Sequence, residues 1–289
     1  MKTFRTVCLL LCVLLFASCG ENQLEKNIGL QMYSLRDAVN DESVGVDEVI
    51  KAIGVMGYKY VETASYRDGL IYEMDPLTFK KKCEDAGLIA LACHTGRDLG
   101  RDPLNPNWES IWAWWDKCIE THKAAGMKYI VTPSMPQPET LEGLKAYCDY
   151  YNAIGAKCAA AGMKFGYHNH AFEFEKVYDD GTVMYDYMVQ NTDPKNVFFE
   201  LDVFWSERGK RTASGLFAKY PNRFEVLHIK DEKELGESGY MNFEDIFANV
   251  KQSGAKYLIV EVERYNMPPM QSVKKSLDYL ETLFSKKSK

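Results

Sequence analysis

Histidine is scarce in this sequence, five in 289 residues, and no glycine-rich phosphate loop is present. Without such a turn after a strand, dinucleotide binding on an open doubly wound sheet lacks its usual signature. Basic charge is also short. Lys and Arg number 35 against 41 Asp and Glu, a net charge of −6. An acidic chain repels phosphate backbones, which argues against a nucleic-acid partner. There is no C-x-x-C. The five cysteines beyond residue 19 (Cys83, Cys93, Cys118, Cys148 and Cys158) stand far apart. An odd number cannot close a disulfide framework. They read as buried apolar fillers, not as nucleophiles. Long apolar runs are absent except at the N-terminus.

That exception is MKTFRTVCLLLCVLLFASC. It has a basic start at Lys2 and Arg5, an apolar stretch from Val7 to Phe16, and small Ala17 and Ser18 before Cys19. The pattern is that of a secretory signal over residues 1–18, and the apolar core is short for a transmembrane helix. The ending FASC resembles the lipobox of bacterial lipoproteins. The resemblance implies that Cys19 is lipidated and that residues 19–27 tether an exported protein to a membrane, in the periplasm or at the cell surface. The lipid would be its sole membrane contact. Removing residues 1–18 takes away Lys2 and Arg5 and no acidic residue, so the net charge falls from −6 to −8.

The remainder repeats one unit. A helical stretch ends in a small residue and Gly, and a strand follows at once: Gly57, Gly87, Gly126, Gly162 and Gly254 each stand at such a joint. Gly takes the left-handed conformation that closes a helix. The runs that follow (YVET, LIALA, YIVTP, YLIVEV) are nearly continuous in apolar residues, as in parallel strands covered on both faces. IGLQMYSL from Ile28, FGYHNH after Gly162, NVFFELDVF from Asn196 and RFEVLHIKD from Arg223 bring the strands to eight. Helical segments fall at 47–56, 108–125, 139–161, 243–252 and 271–284. The sequence therefore predicts one (β/α)8 TIM barrel over residues 28–289. Trp108, Trp112 and Trp115 recur at helical spacing and read as a core-facing stripe. His122 on the same helix reads as a packing or surface residue.

Chemistry in such a barrel sits at the C-terminal strand ends. The polar residues there are Glu62, His94, His168 and His170, Glu200 and Asp202, His228 and Lys230, and Glu261 and Glu263. Four of the five histidines fall in this set. Carboxylates inside apolar strands need a compensating cation or dense hydrogen bonding. A divalent metal held by His168, Asp202, His228 and Glu261 meets that need, and this mixed N/O set suits Mn, Co, Zn or Fe. Residues two apart share a face, so His170, Glu200 and Glu263 fall one layer away.

These residues carry a family resemblance. QMYSLRD near Gln31, YVETASY, ACHTG, GYHNHAFEF, LDVFW, LHIKD and VEVE together resemble the sugar phosphate isomerase/epimerase group of xylose isomerase-like TIM barrels, related in fold to endonuclease IV. The resemblance covers essentially all of the chain after the leader. It implies the same four metal ligands at the ends of strands five to eight. Epimerases of this superfamily place Glu where this sequence has His168, so one-base chemistry is expected over two-base epimerisation. The implied reaction is proton abstraction next to the carbonyl of a keto sugar, through an enediolate. Glu261 is the first expected base by analogy and His170 the second, and Lys230 faces the developing oxyanion. Glu62, His94, Trp205 and Glu263 are expected to line the sugar pocket. The alternatives are a 3-keto-glycoside lyase working by β-elimination at the same site, and a non-catalytic sugar-binding lipoprotein. An endonuclease-like role would need about three metals and a basic face, which the acidic charge opposes.

Overall fold

The computed structural model describes residues 24–287. The expected signal over 1–18 and the lipidated Cys19 lie outside the described residues. Eight strands run β1 Ile28–Gln31, β2 Tyr60–Thr63, β3 Ile89–His94, β4 Tyr129–Thr132, β5 Lys164–His168, β6 Val197–Asp202, β7 Val226–Lys230 and β8 Tyr257–Glu261. All pair in parallel and in order, and β1 closes on β8 through Ile28 and Leu258. Outer helices include Gly45–Met56, Trp108–Ala124, Leu141–Ala160, Phe243–Asn249 and Pro269–Lys287. This is a (β/α)8 TIM barrel. In the described part of the expected tether, Leu24–Lys26 form a 3-10 turn, and the Asn27 carbonyl accepts from Leu258 N at 3.0 Å.

The Gly joints close their helices as the sequence predicts. At the end of Leu141–Ala160, Gly162 takes φ +79°, Met163 N reaches back to Cys158 O at 2.9 Å, and Gly162 N to Ala159 O at 3.0 Å. That paired closure satisfies terminal carbonyls and turns the chain into β5. One β-bulge interrupts the β2–β3 register between Val61 and Glu62.

Two apolar cores flank the barrel wall. The larger lies between strands and helices. The smaller fills the barrel interior with Leu91, Ala92, Tyr129, Val131, Phe198, Val226 and Ile259. Gly166 makes room there, since a Cβ would sit 2.5 Å from the Phe198 ring. Trp115 is fully buried, whereas Trp108 is 42% exposed and stacks on Trp112. The expected core stripe therefore fades toward the start of its helix. His122 is buried, with Nδ1 2.7 Å from Cys118 O, and burial pushes it down to about 4. The five described cysteines are free and buried. The apolar floor stops below the strand ends, and polar side chains take over.

Candidate metal centre

Four strand ends converge at the mouth. One donor atom from each of Asp202, His228 and Glu261 lies within 4.8 Å of the others. His228 Nδ1 is 3.6 Å from Glu261 Oε2, and His168 Nε2 is 4.0 Å from Asp202 Oδ2. All four residues are buried. Local structure aims each donor. Asp202 ends β6 and caps the following short helix, with Oδ1 accepting from Trp205 N at 2.8 Å. That leaves Oδ2 without a partner. Asn169 clamps the same strand end, exchanging bonds with the Asp202 backbone at 3.1 and 3.3 Å. His228 Nε2 is engaged with Glu62 Oε1 at 2.7 Å, so Nδ1 faces the centre unpartnered.

Buried polar atoms without partners are uncommon and costly. Here two of them point into the space that His168 and Glu261 also border. A divalent ion fits this donor set: two imidazoles and two carboxylates, the mixed ligation that transition metals accept. The charges agree. Burial pushes Asp202 up to about 7, with the Glu261 carboxylate adding to the rise. A cation at the centre would keep it ionised. Burial also opposes the charge on Glu261, but Lys230 and His228 hold it below the ordinary carboxylate range. Burial and the neighbouring histidines keep His168 neutral.

A second polar layer lies beneath. Gln31 Nε2 donates to Glu62 Oε1 at 2.8 Å. His94 Nε2 sits 2.6 Å from Glu200 Oε2 and 3.1 Å from Glu62 Oε1. His168 Nδ1 is 3.3 Å from the same Glu200 oxygen. Glu62 and Glu200 are fully buried. Burial and the Glu62 charge push Glu200 up to about 7. Glu62 and His94, expected to line the sugar pocket, bind polar atoms of this network; Glu62 is fully buried, while the His94 side chain keeps 9% exposure.

The cleft lies to one side, toward β6–β8. Phe204, Trp205, Arg208, Lys230, Glu263 and Arg264 are among its lining residues, around about 90 Å³. Trp205 and Glu263, expected to contact the sugar, are both among these lining residues. Trp205 Nε1 is buried and unpartnered. Lys230 Nζ bridges Glu261 and Glu263 at 3.2 Å each. His170 lies past the end of β5, with its ring 5.6 Å from that of Trp205 and Nδ1 unpartnered. Glu173 holds it from behind, accepting from His170 N at 2.9 Å and from Tyr167 OH at 2.7 Å. Sequence reasoning missed Gln31, Asn169 and Glu173. Asn169 had one signal, its place between the two adjacent histidines.

Comparison with known proteins bears on the fold that carries this site. The family model described as xylose isomerase-like TIM barrel matches residues 50–283. A search of curated proteins found no match. Two crystal structures from Parabacteroides distasonis ATCC 8503, each named a sugar phosphate isomerase/epimerase, are similar. One is 34% identical with a TM-score of 0.78, covering 87% of this chain and 96% of its own. The other is 30% identical with a TM-score of 0.80, covering 93% and 97%. At the level of fold alone, a structure named IOLI protein with a binding zinc atom is 15% identical with a TM-score of 0.69, covering 90% of this chain and 98% of its own.

Proposed function

The chain belongs to the xylose isomerase-like TIM barrel family, and on that premise we propose that it is a metal-dependent enzyme of the sugar isomerase/epimerase type, removing a proton next to the carbonyl of a keto sugar. The observation that carries this reading is the convergence of Asp202, His228 and Glu261 at the barrel mouth, with Asp202 Oδ2 and His228 Nδ1 unpartnered and His168 Nε2 4.0 Å from Asp202 Oδ2. Those four residues would hold one divalent ion of the Mn, Co, Zn or Fe class. When bound, such an ion supplies Lewis-acid stabilisation of enediolate charge, on the order of several kcal/mol. The names of the similar structures and the zinc of the fold neighbour support the class of substrate and cofactor.

The chain's own groups then divide the work. Glu261 is the first candidate base, kept ionised beside Lys230. His170 is the second, with Nδ1 unpartnered beside the cleft. A positioned base contributes roughly 10²- to 10⁴-fold. The Lys230 ammonium faces the oxygen that gains charge. Trp205 offers its ring to an apolar sugar face and its N–H to a hydroxyl. The abstracted proton returns to the neighbouring carbon in isomerisation. In a 3-keto-glycoside lyase, a β-substituent leaves instead. His168 favours these one-base outcomes, because a second flanking carboxylate is missing at that position. A purely sugar-binding role would not need four competent ligand side chains. The proposed export and lipid anchoring at Cys19 fit a free or glycosidic keto sugar better than a sugar phosphate.

Elemental analysis of the purified chain, beside a His168→Ala/His228→Ala variant, tests the reading. About one equivalent of transition metal, lost in the variant, is expected for such a site. Keto sugars incubated with the loaded protein in D₂O should then take up deuterium next to the carbonyl. Bound metal without exchange in any keto sugar or 3-keto-glycoside would sink the enolisation mechanism.

A further inference from the structure

The buried layer under the mouth does something the candidate ligands cannot do for themselves. His94 Nε2 lies between Glu200 Oε2, at 2.6 Å, and Glu62 Oε1, at 3.1 Å. Each carboxylate in turn touches a candidate ligand. Glu62 Oε1 meets His228 Nε2 at 2.7 Å, and Glu200 Oε2 faces His168 Nδ1 at 3.3 Å. The His94 ring also packs on both rings, stacked on His228 at 5.0 Å with an 11° interplanar angle, and edge-on to His168 at 4.8 Å. Gln31 holds Glu62 from the far side at 2.8 Å.

A second ion in this layer is the competing explanation. Donors bound to one ion at roughly 2.0–2.2 Å, at right angles or wider, stand about 2.9 Å apart or more. His94, His168, Glu200 and His228 do offer donor atoms within 4.8 Å of one another, but the contacts of 2.6 and 2.7 Å are hydrogen-bond distances, and the number of ions bound decides between the two. A hydrogen-bonded His228 Nε2 also leaves Nδ1 as the atom free to ligate. The layer therefore sets which nitrogen of His228 faces the centre, whereas His168 Nδ1, 3.3 Å from Glu200 Oε2, makes no hydrogen bond.

We propose that His94 is a positioning residue: through Glu62 it fixes the tautomer of His228, and by packing on the rings of His228 and His168 it holds their orientation, and so sets the metal affinity of the centre without touching ion or sugar. The proposal rests on the metal reading above. His94 on β3 and Glu62 on β2 thus support the ligand on β7 from across the barrel.

The test is calorimetric titration of the metal-free full chain with Co²⁺, with the visible Co²⁺ spectrum recorded for wild type, His94→Gln and His94→Leu. Thermal unfolding without metal checks that each variant folds. The wild type should bind one ion. His94→Leu should bind one ion 10- to 100-fold more weakly, as loss of an outer-shell partner does, with a changed spectrum. His94→Gln keeps a donor that can reach only one of the two carboxylates. It should fall between, several-fold weaker than the wild type, and it decides the matter if the leucine variant does not fold. Wild-type affinity and spectrum in His94→Gln would overturn the positioning role while leaving the metal reading intact. Two ions in the wild type, falling to one in the variants, would make His94 a ligand and also overturn it. No Co²⁺ binding by the wild type would remove both readings.

Discussion

The two ends of the barrel bury carboxylates in different ways. At the N-terminal end, Glu225 precedes β7 and is 7% exposed. It accepts from Tyr129 OH at 2.7 Å, Lys164 Nζ at 2.5 Å and Lys256 Nζ at 2.8 Å. At the C-terminal end, Glu62, Glu200 and Asp202 are fully buried, and each keeps one oxygen without a partner. The electrostatics diverge accordingly. Burial works against the Glu225 charge, but hydrogen bonds from Lys164, Lys256 and Tyr129 pull its carboxyl below the ordinary range. Burial pushes Glu200 and Asp202 up to about 7, whereas Glu62, against its burial, is held below the ordinary range by His94 and His228. A satisfied buried ion cluster serves the fold. An unsatisfied one persists where something else completes it, and in these barrels function occupies that end.

The largest expected effect comes from breaking the mouth. Asp202→Asn should remove metal binding and lower turnover on the order of 10³-fold, the loss of several kcal/mol of charge stabilisation. Its cost to the metal-free fold should be nearly nil. Asn caps a helix as well as Asp, and burial already outweighs the Lys230 ammonium at this carboxyl, pushing it up to about 7. Chemical denaturation of the metal-free proteins checks this. A large loss of metal-free stability in Asp202→Asn would erase the contrast between the two ends.

At the other end the signs reverse. Glu225→Gln should cost about 1–3 kcal/mol of stability, the range for hydrogen bonds to a charged group. Metal affinity should stay at the wild-type value, since the apolar interior layer separates the two ends. A Glu225 variant that loses metal would show that the ends are coupled.

How far the sequence revealed these layers follows from what periodicity can carry. The Gly-closed helices and continuous apolar strands fix the barrel, because each unit is local. The strand ends bring His168, Asp202, His228 and Glu261 to one rim, since in-register parallel strands end together. Depth was not legible. Glu62 on β2 meets His228 on β7 across the barrel, 166 residues away. The bulge between Val61 and Glu62 shifts the register there. No local pattern reports a cross-barrel contact, so the network that Glu62 and His94 join was hidden. Glu225 was equally opaque, because a charged residue before a strand reads as solvent-facing until Lys164 and Lys256 converge on it.

A pH series sharpens the comparison further. The folded Glu225 carboxyl titrates below its unfolded value of roughly 4.3. A group depressed by folding stabilises above the unfolded pKa and loses that contribution as pH falls through the folded one. The stability gap between wild type and Glu225→Gln should therefore stay constant from about pH 7 to 5 and shrink below about pH 4. A gap that persists into acid would mean that the lysines do not hold this carboxyl ionised.

The smallest effect isolates one bond of the same cluster. Tyr129 contributes both a ring and a hydroxyl. The ring lies 5.0 Å from Phe198 and 5.8 Å from Tyr257, both edge-on, inside the barrel. Tyr129→Phe keeps that packing and deletes only the donor to Glu225 Oε1. That oxygen still accepts from Lys256, so no buried acceptor is orphaned. The cost should fall at the low end of a net hydrogen bond, about 0.5 kcal/mol, read as a small shift in the denaturation midpoint with unchanged slope. A loss above about 2 kcal/mol would mean that the hydroxyl, and not the lysine pair, keeps Glu225 ionised at the barrel floor.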